Sequence, residues 1–268
     1  SGKGIGVAVL DTGIFLHRDF DSRVTGFADM VNRRNFAYDD CGHGTHICGI
    51  IGGSGRMSGG RYSGIAPGCN LIMVKVLDRK GNGYSSDVLA GISWVLERKE
   101  QLGIRILNIS VGACSKRGMS ENSALVKGVN RAWDAGLVVV VAAGNNGPRT
   151  MSITTPGISR KVITVGCSDD DREVLVGGNR MVDYSGRGPT AACICKPDLV
   201  APGCSVVSCS SRADKYTIKS GTSMSTPIVS GAVALLLERF PDMSNKDVKL
   251  RLRESSVDIG LPRNQQGW

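Results

Sequence analysis

Aromatic residues are scarce in this chain, at 5% of 268 residues. With so few rings, and with lysines and arginines scattered along the chain, the sequence lacks the basic, ring-studded surface that single-stranded nucleic acids require. The net charge of +9 is therefore read as a basic surface with no nucleic acid partner. Long apolar runs are missing as well. The longest, Leu137 to Ala143, falls far short of the roughly 20 residues needed to cross a bilayer, so no membrane span is expected. Histidine occurs at only three positions, His17, His43 and His46, so any imidazole chemistry must use one of these.

No internal repeat, low-complexity tract or linker breaks the chain. A hydrophobic content of 41% with 21% charged residues is ordinary for a folded globular protein, and one domain over residues 1–268 is expected. The chain opens on Ser1, which predicts a processed or trimmed form. The nine cysteines (41, 48, 69, 114, 167, 193, 195, 204 and 209) are odd in number, and several lie in apolar segments. Buried free thiols in a reducing compartment are the plainer reading and tilt localisation toward the cytoplasm. A partial disulfide set is the rival, with Cys193, Cys195, Cys204 and Cys209 as a candidate metal cluster or disulfide pair, and a secreted form stays open.

What is present is a series of short β-branched runs alternating with helical periodicity. Ile5–Leu10, Leu71–Leu77, Ile104–Ser110, Leu137–Ala143 and Lys161–Gly166 read as strands. Ser86–Leu102, with Ser86 or Asp87 as cap, and Asn122–Ala135, stopped by Gly136, read as helices. Ser244 and Asp247 resemble a capping box for a last helix to about Arg253. A polar, Asp/Asn/Arg-rich segment runs up to Asp40 with no strand assigned to it, the Gly52–Gly64 segment reads as a loop, and the region from Asp169 to Ile228 as irregular with short strands. Continuous apolar strands between amphipathic helices indicate an α/β fold whose parallel sheet is covered on both faces. Ligands in such sheets bind beyond the carboxyl ends of the strands, which places Asp11, Ser110 and Asn145 at one edge.

The stretch that carries the chemistry is Gly221-Thr222-Ser223-Met224-Ser225-Thr226-Pro227, ahead of the apolar run Ile228–Phe240. A serine at a helix mouth sits near unpaired N–H groups and the positive end of the dipole, where an oxyanion is stabilised. Its helix begins either at Pro227, capped by Thr226, or earlier, which would leave the Ser223 carbonyl without an intrahelical donor. A serine nucleophile needs a base and an orienting carboxylate. His43, flanked by glycines, and Asp11, at the end of a buried strand, are the strongest candidates. His17 reads as a surface-loop histidine with a structural hydrogen bond, His46 as buried, Asp39 and Asp40 as turn or solvent-facing residues, and Asp169–Asp171 as a solvated loop.

Two other chemistries were weighed. Asp11-Thr12-Gly13 also matches the aspartic protease signature, but those sites need two such carboxylates, and the chain has no second Asp-Thr-Gly. Cys41, His43, His46 and Cys48 offer ligands that zinc accepts, but at a spacing unlike zinc fingers, so no metal is expected there.

Val9-Leu10-Asp11-Thr12-Gly13, His43-Gly44-Thr45-His46, Ala143-Gly144-Asn145 and Gly221–Pro227, in this order, resemble the four signature blocks of subtilisin-like serine proteases. Gly64-Ile65-Ala66-Pro67 and Lys196–Gly203 extend the resemblance over nearly the whole chain. It implies a three-layer fold, a mostly parallel central sheet with helices on both faces. It also implies a serine endopeptidase acting on proteins or peptides through an acyl-enzyme, without a cofactor, with its own propeptide as an inhibitor. Asp11 would orient, His43 act as base and acid, and Ser223 attack; Asn145 and the Ser223 N–H would hold the oxyanion.

Lys80, Gly81, Asn82, Gly83 and Tyr84 on one side, and Ser110, Val111 and Gly112 on the other, resemble the segments between which a substrate lies as an added strand. Ala142, Ala143 and Gly144 would wall the pocket beside the scissile bond, with Thr154 standing where the family often has glycine, so a shallower pocket is expected. Gly52–Tyr62 lacks the carboxylates of the family's calcium loop, and the resemblance is nearest to bacterial members without it, some of them intracellular. The ending Pro262–Trp268 looks cut short of the usual continuation.

Overall fold

The computed structural model describes residues 1–112 and 120–268, so Cys114 lies outside the described residues. Seven strands belong to one mostly parallel sheet, the class expected from the alternating runs. The chain divides into two compact units.

The first unit contains Ser1–Asn108, Val207–Ile218 and Ser230–Asp242. Its strands are Gly6–Asp11 (β1), Val24–Asp29 (β2), Asn70–Lys75 (β3) and Ile104–Ile109 (β4), in the order β2-β3-β1-β4. β1 and β3 are parallel in register from Gly6 opposite Asn70 to Asp11 opposite Lys75. Every residue of β1 is buried, as a strand covered on both faces requires. Helices His43–Gly52 (α1) and Ser85–Arg98 (α2) cover opposite faces. A β-carbon at Gly44 would lie 3.1 Å from Met73 Cε, and one at Gly91 3.1 Å from Val74 Cγ1. Successive strand residues point to opposite sides, so α1 meets the Met73 face and α2 the Val74 face.

β2 lies within the polar stretch to which the sequence assigns no strand. It pairs with β3 at the sheet edge and is only partly buried, so it carries no apolar run to betray it. Helix α2 begins at Ser85, with Tyr84 in the cap position and no side-chain cap bond, in place of the expected Ser86 or Asp87.

The second unit contains Ile109–Val206, Lys219–Val229 and Met243–Trp268. Helix Ala124–Asp134 (α3), capped by the Ser123 side chain, precedes Val138–Ala142 (β5) and Ile163–Cys167 (β6). Val174–Val176 (β7) and Asn179–Met181 (β8) form a short antiparallel pair, followed by Leu199–Ala201 (β9). β5, β6 and β9 run parallel in that order. Val206–Cys209 (β10) and Tyr216–Lys219 (β11) make another two-stranded sheet.

Helix Thr222–Arg239 (α4) has Pro227 inside it, which settles the start at Thr222 and not at Pro227. Asn245–Ser255 (α5) carries the full capping box between Ser244 and Asp247, and Arg263–Gln266 (α6) closes the chain. Among the described residues, no helix is long and apolar enough to cross a membrane.

Candidate active site

β1 ends on Asp11 because the buried apolar run stops there, and the carboxylate is wholly buried. Asp11 Oδ1 accepts from the Thr12 N–H at 2.8 Å and from His43 Nδ1 at 2.7 Å. A carboxylate can only accept, so Nδ1 is the donor of this bond and the carboxylate fixes the orientation of the ring. The His43 ring is 24% exposed, enough to be reached from outside.

His43 opens α1, and the start of that helix is held by a residue read from sequence as turn or solvent-facing. Asp39 Oδ1 accepts from Thr12 Oγ1 (2.9 Å), Cys41 N (3.1 Å) and Gly42 N (2.7 Å). Its Oδ2 accepts from Thr45 N (2.9 Å) and Thr45 Oγ1 (2.6 Å). Gly42, at the cap position, has no side chain to offer, so Asp39 does the capping from three residues upstream. Thr12 Oγ1 also accepts from Gly44 N at 2.9 Å, tying the residue after Asp11 to the residue after His43.

Lys75, fully buried, donates to Thr12 O (2.6 Å), Leu77 O (2.8 Å) and Asp40 Oδ1 (2.8 Å), and so braces the same strand end. Asp40 is thus an ion-pair partner and not merely solvent-facing. The loop Lys80–Tyr84, also in the first unit, is shaped by Asp78, whose Oδ1 accepts from Lys80 N and Asn82 N at 2.8 and 2.9 Å. Those backbone donors hold the Asp78 carboxyl below its usual range. Gly81 and Gly83 complete this turn, and Tyr84 is 78% exposed.

The remaining candidates lie in the second unit. Ser223 is the second residue of α4, in the first turn, where helix N–H groups have no intrahelical acceptor. Its hydroxyl donates to Ser110 O at 2.7 Å. Pro227, four residues on, has no N–H to give the Ser223 carbonyl. Asn145 follows β5, where Gly144 takes a φ of +93°, a left-handed conformation that favours glycine. Asn145 Oδ1 accepts from both Thr222 N and Thr222 Oγ1 at 3.0 Å. That pair of donors fixes the oxygen end of the amide, so Nδ2 is its donor end. A β-carbon at Gly221 would come within 3.4 Å of Nδ2.

A matching model of the subtilase family covers residues 2–268. The chain belongs to the subtilase family. This subtilase is 42% identical to the "Serine protease AprX" of Bacillus subtilis (strain 168) over 273 residues, 96% of this chain and 62% of that protein. It is 35% identical to the "Thermostable alkaline protease" of Halalkalibacterium halodurans over 261 residues, 97% of this chain and 64% of that protein. The chain therefore spans less than two thirds of the length of these curated relatives.

Among solved structures it resembles a cold adapted subtilisin-like serine proteinase, with a TM-score of 0.80 and 29% identity over 99% of this chain and 86% of that one. It resembles Sphericase with a TM-score of 0.79 and 32% identity, over 95% and 84%.

In the subtilase's second unit, Ala142, Ala143 and Gly144 adjoin Thr154, which is buried and donates its N–H to Ala143 O at 2.9 Å. β-carbons placed on Gly112 and Gly144 would lie 2.2 and 2.5 Å from Thr154 Oγ1. The threonine side chain thus fills the space against both glycines. Val111 is half-buried and Ser110 buried beside it in sequence.

Several expectations are corrected. His17 is 1% exposed and not a surface-loop residue, with Nδ1 accepting from Asp19 N and Nε2 bonded to Lys215 O. Of the three aspartates read as a solvated loop, Asp171 is exposed as expected, but Asp170 is buried and accepts from Ser185 N, and the half-buried Asp169 accepts from Gly203 N and Cys204 N. The expected buried free thiols, by contrast, are present at Cys48, Cys69, Cys167 and Cys209, and the exposed Cys193 and Cys195 form no disulfide.

His17, Asp19 and Cys209 cluster closely enough to suggest a metal. Their acceptors are already taken: Asp19 Oδ1 by Met57 N and Oδ2 by Tyr216 Oη. The group therefore reads as a hydrogen-bonded core element.

Proposed function

We propose that this subtilase is a serine endopeptidase that cleaves peptide bonds of proteins through an acyl-enzyme. The observation that carries the reading is the pairing of Asp11 with His43 at 2.7 Å, in a chain whose Ser223 opens a helix beside an amide aligned by Thr222. In the proposed reaction the Ser223 hydroxyl gives up its bond to Ser110 O, and its proton passes to His43 Nε2 as Oγ attacks the substrate carbonyl. Asp11 stabilises the imidazolium that forms. The tetrahedral oxyanion takes hydrogen bonds from Asn145 Nδ2 and the Ser223 N–H. His43 then protonates the leaving amine, and water attacks the acyl-enzyme by the same route in reverse.

The substrate backbone is proposed to bind as an added strand along Ser110, Val111 and Gly112 and along Lys80–Tyr84. Ala142, Ala143 and Gly144 wall the pocket for the residue before the scissile bond, and Thr154 makes it shallow. A propeptide acting as inhibitor would occupy the same strand positions.

The test is labelling with a fluorophosphonate probe together with casein turnover. Both are expected in the parent chain, and both should vanish in Ser223→Ala. Labelling that persists at another residue, or a folded protein that binds peptide without turnover, would sink the reading.

A further inference from the structure

The mechanism above makes no use of a cavity of about 380 Å³ in the second unit, lined by Trp133, Arg160, Lys161, Lys246, Lys249, Leu250, Arg253 and Trp268. Its volume falls within the range of small-molecule pockets, roughly 300–1,000 Å³. Two of the chain's three tryptophans and five cations gather there, although basic residues elsewhere are scattered. One wall is a single face of α5, with Lys246, Leu250 and Arg253 at helical spacing and Lys249 between them. Trp133 is buried and Trp268 half-buried.

The five cations are not equivalent. Lys249 is fully committed: its Nζ donates to the carbonyls of Arg160, Lys161 and Val162 at 2.9–3.0 Å and pairs with Asp198 at 3.2 Å. It also lies 5.9 and 5.7 Å from the Trp133 and Trp268 ring centroids, so it fixes the floor of the cavity. Lys161 is paired with Asp134 at 2.7 Å and Arg160 with Glu121 at 3.2 Å. Lys246 and Arg253 have no acidic partner among the described residues, and both are exposed. The cavity therefore combines a half-buried indole, the exposed Leu250 side chain and two uncommitted positive charges on one rim.

From this arrangement we infer that the cavity is a binding site for a small aromatic anion, a flat ring carrying a phosphate or carboxylate. The ring lies against Trp268 and Leu250, where stacking contributes sequence-tolerant affinity. The anionic group meets Lys246 and Arg253, the latter with a fork suited to bidentate contact. An uncharged ring leaves the two cations unsatisfied, and a bare anion leaves the indole face wet, so both parts are needed.

The test uses the full chain carrying Ser223→Ala, to prevent self-digestion, and follows tryptophan fluorescence. Adenosine monophosphate and N-acetylphenylalanine supply ring-bearing phosphate and carboxylate, and adenosine and inorganic phosphate supply each half alone. A saturable change is expected with at least one ring-bearing anion, and its identity distinguishes phosphate from carboxylate. Lys246→Gln with Arg253→Gln should weaken that binding by about tenfold or more, since each lost charged hydrogen bond contributes on that scale. Trp268→Leu should abolish the advantage of the ring-bearing anion over inorganic phosphate. All three substituted positions line the cavity, and unchanged far-ultraviolet circular dichroism would confirm folding. The inference fails if no ring-bearing anion saturates. It also fails if the double variant binds as tightly as its parent, or if inorganic phosphate binds as well as the ring-bearing ligands.

Discussion

Replacing Thr154 with glycine should move the proposed protease toward larger side chains before the scissile bond. The threonine is 3% exposed, and its Oγ1 would meet a β-carbon on Gly112 at 2.2 Å and one on Gly144 at 2.5 Å. Its three side-chain atoms beyond Cα thus occupy space that a glycine would return to the substrate. Each methylene a substrate buries is worth about 0.8 kcal/mol, so filling that space with two to three carbons contributes about 2 kcal/mol. At 1.4 kcal/mol per factor of ten, the ratio of kcat/KM for phenylalanine over alanine substrates should rise by roughly 30-fold.

Thr154→Val supplies the control, because it keeps the volume and removes only the 3.3 Å hydroxyl bond to Ala143 O. The valine variant should retain the parent preference. Paired peptide substrates differing only at that residue give the ratio directly. A ratio unchanged in Thr154→Gly, or one that shifts equally in Thr154→Val, would refute the reasoning. The first result would mean that the threonine does not bound the substrate pocket; the second would mean that its hydroxyl acts and not its bulk.

Two further outcomes are expected. Asp39→Ala removes the acceptor for five donors around the start of α1; stability should fall by about 2–3 kcal/mol in chemical denaturation, and kcat should fall more than KM changes as His43 loses its fixed position. Full activity in a folded Asp39→Ala would remove its positioning role.

The second outcome concerns alkaline pH. Burial pushes the Cys48, Cys69, Cys167 and Cys209 thiols up, those of Cys69 and Cys167 to about 12. The unfolded chain loses these protons above about pH 8.5 while the folded chain keeps them, so their stabilisation is complete below that pH and lost as pH rises. Lys196 runs the other way. Burial lowers its ammonium to about 8 against the pull of Asp198, so the folded chain loses that proton first and stability gains as pH climbs from 8 toward 10. With these thiols, and Cys204 also pushed up by burial, against one lysine, the unfolding free energy should fall between about pH 8.5 and 10. Cys69→Ala should flatten the fall by about 1 kcal/mol per pH unit, and Lys196→Met should steepen it. Urea denaturation across that range checks both, and a rising curve in the parent chain contradicts the balance.

Much of the fold and the positions of the candidate residues could be read in advance because their signals are local. A strand buried on both faces must be continuously apolar, and the first residue that breaks the run marks the strand end. Asp11 and Asn145 were legible for that reason. The Ser244–Asp247 capping box is likewise complete within four residues, and the structure contains both of its bonds.

The rest depended on partners remote in sequence, which only folding brings together. β2 is an edge strand, partly exposed along most of its length, and carries no apolar run to mark it until β3 pairs with it. Asp169 and Asp170 look solvated until the N–H groups of Gly203, Cys204 and Ser185 reach them. His17 became a core residue because Lys215, nearly 200 positions away, supplies its acceptor.

The helix mouth at Ser223 was ambiguous for the same reason. Proline at 227 suits a first helical position, but Thr222 N finds its acceptor in Asn145 Oδ1, across 77 residues, and Thr226 Oγ1 bonds Thr222 O. The helix thereby starts at Thr222 and carries Ser223 in its first turn. The sequence by itself determined which residues the proposed chemistry draws on. The tertiary structure decided how Ser223, Asn145 and Asp39 are held, because each is fixed by hydrogen bonds whose other half no local pattern specifies.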